Sequence, residues 1–198
     1  MIYGTHNSAT GGKLIWWQRP FAWLLNTTSR CQNKSIEQQL RDGVKLFNLQ
    51  ITYYRGEWHF SHGLSIYKEN FIEALAKMRA VATKREPIYF QLYLDKNFFC
   101  GQEKEKFKKL VEDIKNYYCA PHFVMLTAWI EGCDEYPYKS RKKIDLREHY
   151  WTLTWGKTLG KNLLDMLPFP LRHAKKYNKK YKENCTSNYL MLDFYEIG

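Results

Sequence analysis

Met1-Ile2-Tyr3-Gly4-Thr5-His6-Asn7-Ser8-Ala9-Thr10 delivers a short β-favouring run straight into a histidine and a turn of small polar residues. Ile2 and Tyr3 favour a strand, and Gly4 with the Asn7-Ser8 pair ends it. His6 then stands at the mouth of a sheet, where a side chain can meet a ligand.

The same grammar of strand, turn and helix recurs outward along the chain. Ser35-Ile36-Glu37-Gln38-Gln39-Leu40-Arg41-Asp42-Gly43 reads as one short helix, with Ser35 as N-cap, Gln38 at the capping-box position and Gly43 as the stop. A strand follows at 44–53, with Asn48, Gln50 and Thr52 on one face and Phe47, Leu49 and Ile51 on the other. Arg55-Gly56-Glu57 turns the chain into a return strand, Trp58 to Gly63. Alternation separates His59 from His62, and His62, at the strand's end, is the functional candidate. The spacing predicts helices over 68–85 and 102–118, and strands over 87–95 and 121–129. Gln91, Tyr93 and Asp95 share one face of the former strand.

Beyond residue 130 the pattern loosens: 136–147 reads as a basic, turn-like stretch, 150–155 as a strand and 159–167 as a short helix. Lys175 to Lys182 is a Tyr-interleaved basic run, and Tyr189 to Phe194 is a closing strand with Asp193 near its end. Strands alternating with helices predict a single α/β domain, a barrel built largely from parallel strands whose C-terminal ends carry the site.

Composition narrows the partners. The 198 residues are 44% hydrophobic, a globular balance, but carry a formal charge of +11. That excess suits an anionic partner: a phosphate ester, an acidic membrane surface or nucleic acid. No standard nucleic-acid-binding motif accompanies it, so a specific nucleic-acid partner is not expected. Trp16, Trp17, Phe21 and Trp23 lie beside Lys13 and Arg19, with Pro20 interrupting any long helix. Such a segment either covers the core or sits in a membrane interface, and Trp16 and Trp17 are its interfacial candidates. Cys31, Cys100, Cys119, Cys133 and Cys185 form no C-x-x-C pair. Reduced thiols and no zinc site are therefore expected. No charged-then-apolar leader and no membrane-spanning apolar run is present, which suggests a cytoplasmic or peripheral membrane location.

Four blocks in this order and separation carry a family resemblance: Gly4-Thr5-His6-Asn7-Ser8, then Ser35 to Asn48 around Gln39-Leu40 and Gly43, then Ser61-His62-Gly63-Leu64, and finally Leu192-Asp193-Phe194. Together they resemble the X-domain of phosphatidylinositol-specific phospholipases C. The resemblance implies a distorted or incompletely closed TIM-type barrel that cleaves phosphodiesters of inositol lipids. It implies His6 as general base, His62 as general acid and Asp193 as the carboxylate that orients an imidazole. Substrate would meet Asn7, Asn48, Gln50, Tyr93 and Asp95.

The departures from that family concern charge. Where bacterial members carry a phosphate-binding arginine, this chain has Gln50. Where eukaryotic members hold calcium with carboxylates, it has the amides Asn48 and Gln50, beside Tyr93. No cofactor is therefore expected; calcium stays open, although the carboxylate ligands of the family are missing here. Phosphoryl transfer normally needs a cation or metal to offset developing charge. Arg55, Lys96 and Lys157 are the candidate replacements, and Asp95 the candidate carboxylate. Three functions remain open: a phosphoric diester hydrolase, a catalytically silent relative that binds anionic lipid or another phosphate ligand, or, ranked last, a basic nucleic-acid-binding protein that uses Lys175 to Lys182 and the aromatics.

Overall fold

The computed structural model describes residues 2–133, 136–142, 144, 146–149 and 170–197. The strand expected at 150–155, the helix at 159–167 and Lys157 lie outside these residues.

β1 (Ile2–Thr5) pairs in parallel with β2 (Leu46–Tyr54) on one side and β9 (Tyr189–Leu192) on the other. β2 pairs in parallel with β5 (Ile88–Leu94), which pairs in parallel with β6 (Phe123–Ile130). β7 (Tyr138–Lys139) lies antiparallel against β6 at one edge, and β8 (Leu146–His149) lies parallel to β9 at the other. Among the described residues the two edges do not pair, so the sheet is an open, incompletely closed barrel.

Chain alternation makes two cores from this sheet. Phe47, Leu49, Ile51, Phe90, Leu92, Leu94, Leu190 and Leu192 pack outward against the helices α2 (Ile36–Arg41), α3 (Phe71–Val81) and α4 (Lys104–Asp113). Each such aliphatic or phenyl side chain, fully buried, stabilises the fold by about 1.5–3 kcal/mol. Facing inward, Leu46, Tyr89, Leu126 and Met191 form a small second cluster, the floor of the barrel. Gly4 belongs to that floor, because a Cβ there would meet the Leu46 side chain at 3.0 Å. Two residues further along three of the same strands come Asn48, Gln91 and Asp193. The inner face thus turns from apolar to polar toward the strand C-terminal ends.

Helix and turn signals behave as the local chemistry dictates. Ser35 and Gln38 form a complete capping box, and Gly43 adopts φ 83°, the left-handed stop. Arg55 and Gly56, both at positive φ, make the two-residue hairpin between β2 and β3 (Glu57–His62). Pro20 falls in a 3₁₀ turn, Trp16–Phe21, that leads into α1 (Ala22–Ser29).

Two expectations are corrected. The helix expected over 68–85 starts only at Phe71, because Ser65–Asn70 forms β4, antiparallel to β3. Asn70 is the N-cap, its side chain accepting from the Ile72 and Glu73 N–H groups. The stretch 136–147, read as turn-like, contains β7 and the start of β8. The basic run from Lys175 to Lys182 lies on α5 (Pro170–Asn184), whose buried Ala174 and Asn178 face the body of the protein.

Candidate active site

β2 is nine residues long and β1 only four, and that difference builds the site. β1 pairs with β2 only as far as Phe47, and further along, from Ile51 to Tyr54, β3 pairs antiparallel with β2. β3 therefore runs back toward the end of β1, and their C-terminal residues meet. His6 and His62 consequently face each other with ring centroids 6.3 Å apart and planes 79° apart.

His6 is 4% exposed. Its Nδ1–H donates to Asp193 Oδ1 at 2.8 Å, which leaves the opposite nitrogen as the acceptor. Asp193 is 1% exposed, directly beyond β9. It is held by the unusual left-handed backbone of Phe194 (φ 44°), whose N–H donates to Cys31 O at 2.7 Å. Asn178 Nδ2 on α5 donates to both the Asp193 and Phe194 carbonyls. Gln32, fully buried, donates Nε2–H to His6 O at 2.8 Å and to Leu192 O at 2.9 Å. Both loops are thereby pinned to one amide.

His62 is half-buried, and its Nδ1–H donates to Ser29 O at 2.7 Å. Its Nε2 accepts from Asn7 Nδ2 at 3.1 Å. Burial pushes its pKa below the ordinary imidazole value, helped by the neighbouring His6 and opposed by the Ser29 hydrogen bond and Asp193. Asn7 takes a left-handed backbone (φ 45°), which asparagine tolerates, and this turns its side chain between the two rings.

The cavity beside them has a volume of about 350 Å³ and is lined by His6, Asn48, Gln50, His62, Gly63, Tyr93, Asp95, Lys96, Trp129 and Glu131. Register explains the set: Asn48 pairs with Gln91, Gln50 with Tyr93, and Tyr93 with Trp129. Asn48 is engaged as a bridge, its Oδ1 accepting from Asn7 N–H at 3.3 Å and its Nδ2 donating to Gln91 at 3.2 Å.

Asp95 and Glu131 stand side by side just past β5 and β6, and Glu131 Oε2 accepts from Lys96 N–H at 2.6 Å. Burial, and then the Glu131 carboxyl, pushes the Asp95 pKa up to about 8. At neutral pH the Asp95 carboxyl therefore keeps its proton. Glu131 was not singled out in the sequence, although its place one residue beyond a parallel strand was a usable signal. Ser29, Cys31 and Gln32 carried no such signal, since they lie at the end of α1 and in the segment after it, which only folding brings under His6 and His62.

All three expected catalytic residues and Asn7 come together here, as do Asn48, Gln50, Tyr93 and Asp95. Of the candidate cations, Lys96 lines the cavity, whereas Arg55 lies over the Tyr54 ring in the distal hairpin turn. Trp16, Phe21 and Trp23 are exposed. Trp17 is instead half-buried, its Nε1–H donating to Tyr54 Oη at 3.1 Å and its ring edge-on to Phe99 at 4.9 Å. Phe98 and Leu64 extend the exposed apolar rim, and Asn97 Nδ2 ties their two loops together through Gly63 O at 2.7 Å.

The donor set does not suit calcium in the cavity. That ion takes six to eight oxygens with carboxylate charge. Asn48 is committed to other partners, Gln50 is a neutral amide and burial holds the Asp95 carboxyl protonated at neutral pH.

No family model matches the chain, and no curated protein matches it. Solved structures do. The phosphatidylinositol-specific phospholipase C of Listeria monocytogenes superposes with a TM-score of 0.59 at 12% identity, covering 98% of this chain and 87% of that one. The corresponding Staphylococcus aureus enzyme, solved in work on its membrane binding, gives a TM-score of 0.56 at 12% identity, covering 98% of this chain and 85% of that one. At this identity the likeness establishes the fold, an open TIM-type barrel.

Proposed function

We propose that the protein is a phosphoric diester hydrolase that cleaves an inositol phospholipid or a related phosphodiester by two-imidazole acid–base chemistry. The observation that carries this reading is the pair His6 and His62, 6.3 Å apart across one cavity edge, with His6 oriented by Asp193.

His6, its Nδ1–H committed to Asp193, presents a lone pair that takes the proton of an attacking hydroxyl. Asp193 fixes that tautomer and stabilises the imidazolium that forms. His62 gives a proton to the leaving alcohol from Nε2. Before substrate binds, burial favours the neutral ring, and Asn7 meets that nitrogen as a donor. An arriving phosphodiester anion raises the ring's proton affinity, so protonation of His62 accompanies binding and supplies positive charge where the described lining residues include no arginine. Lys96 adds a second cation, and the protonated Asp95 carboxyl limits repulsion of the anion. The exposed Trp16, Phe21, Trp23, Phe98 and Leu64 form an apolar rim suited to the surface from which a lipid is drawn. Among the described residues no helix is long and apolar enough to cross a membrane.

Purified protein assayed on phosphatidylinositol, on glycosyl-phosphatidylinositol and on cyclic phosphodiesters should release product, with or without chelator. His6→Ala and His62→Ala should each lower turnover by at least about a hundredfold, the usual worth of one acid–base group. Wild type that binds anionic vesicles but turns nothing over would establish the silent lipid-binding alternative. Alanine variants as active as wild type would refute the two-imidazole mechanism.

A further inference from the structure

We propose that His6, Cys31 and Asp193 form a binding site for one soft divalent cation of the zinc type, and that filling it locks His6 in the tautomer that cannot act as a base. The three side chains each offer one ligand atom, and those atoms all lie within 4.8 Å of one another. All three residues are buried, Cys31 completely. Imidazole nitrogen, thiolate sulfur and carboxylate oxygen are the donors zinc prefers, and its bond lengths of about 2.0–2.3 Å require closure by only about 1 Å.

A second observation points to a ligand. Asp193 Oδ2 is buried and meets no oxygen or nitrogen donor, and the Cys31 thiol that faces this carboxylate is a weak donor, an expensive setting for a carboxylate oxygen unless something cationic meets it. Asn7 closes the fourth side: its amide nitrogen lies 3.4 Å from both His6 Nδ1 and Cys31 Sγ, and its Oδ1 is likewise buried without a partner. The ligand loops are tied to each other before any ion arrives. Cys31 N–H donates to Thr10 Oγ1 at 2.9 Å, and Cys31 O accepts from Phe194 N–H, next to Asp193. The thiol therefore has a fixed bearing toward the carboxylate.

Binding balances simply. Burial and the Asp193 charge hold the thiol protonated, so the incoming ion expels one proton to solvent as Cys31 becomes a thiolate. His6 stays neutral but moves its proton from Nδ1 to the opposite nitrogen, giving the Nδ1 lone pair to the ion. Asp193 exchanges its hydrogen bond for a coordinate bond. The nitrogen facing the cavity then carries hydrogen and cannot accept a proton from substrate. This inhibitory consequence rests on the hydrolase reading; the binding does not.

Reduced, metal-free full-length protein titrated with cobalt(II) should show a thiolate-to-metal charge-transfer band that saturates at one equivalent and is displaced by zinc. Cys31→Ser should lose the band, and both Cys31→Ser and Asp193→Asn should weaken zinc, measured against a chromophoric chelator, at least tenfold. Cys133→Ser should change neither. Nitrogen-15 spectra of the histidines should show the His6 proton on Nδ1 without zinc and on the opposite nitrogen with it. A wild type without the band, or a band that persists in Cys31→Ser, overturns the site. If Cys31→Ser does not fold, Asp193→Asn decides, since unchanged zinc affinity there overturns it equally. An unshifted His6 proton in the loaded protein overturns the lock, and turnover that continues at saturating zinc does the same. A protein without any turnover refutes the hydrolase reading alone, because the band, the affinities and the nitrogen spectra need no substrate.

Discussion

Replacing Asp95 by asparagine should stabilise the protein increasingly as pH rises. The wild-type carboxyl is 4% exposed and its pKa is pushed up to about 8 by burial and by Glu131, whereas in the unfolded chain it ionises near 3.8. Between those values the folded state holds a proton that the unfolded state has lost, so stability falls with rising pH by about 1.36 kcal/mol per unit. Asparagine is isosteric, carries no charge at any pH and can donate its amide N–H to Glu131 in place of the carboxyl proton. The stability difference between variant and wild type should therefore widen by about 2.7 kcal/mol from about pH 5 to about pH 7. For a chain of this size that corresponds to roughly 5–10 °C in thermal midpoint. Urea and thermal denaturation of both proteins across that range measure it. Parallel curves would refute the reasoning, because they would mean that Asp95 is ionised in the fold.

Three further outcomes follow from particular side chains. Gln32→Met should cost roughly 1–3 kcal/mol by urea denaturation, since the buried His6 carbonyl loses its 2.8 Å donor while Leu192 O keeps the His6 N–H; a loss below about 0.5 kcal/mol would show that the loop relaxes around it. Replacing both Trp16 and Trp23 by serine should weaken binding to anionic phospholipid vesicles at least tenfold, about 1.4 kcal/mol, with an unchanged thermal midpoint. Trp17→Ser, by contrast, should lower the midpoint through loss of the Tyr54 and Phe99 contacts. Equal vesicle binding by the double variant would remove the apolar rim from the lipid interface.

How legible a residue was depended on whether its neighbours in sequence were also its neighbours in space. The Ser35 cap, the Gly43 stop and the Arg55-Gly56 turn are satisfied within a few residues, so composition alone placed them. β4 escaped because Ser65–Asn70 carries no clear alternation, and what makes it a strand is pairing with β3. The short edge strands escaped for the same reason. Tyr138–Lys139 takes its conformation from β6, not from its own residues.

The sequence by itself placed the parallel strands and their polar ends, because strand period and turn chemistry are local properties of the chain, and the blocks that resemble a known family pointed to His6, His62 and Asp193. Tertiary structure decided what those residues can do together. The excess length of β2 over β1 aims His62 back at His6, the 29–32 loop supplies Ser29, Cys31 and Gln32 beneath them, and the register of β5 with β6 joins Asp95 to Glu131. Each is a contact between segments far apart in sequence, whose geometry follows from strand lengths and pairing offsets across the whole sheet. No window of neighbouring residues contains those offsets.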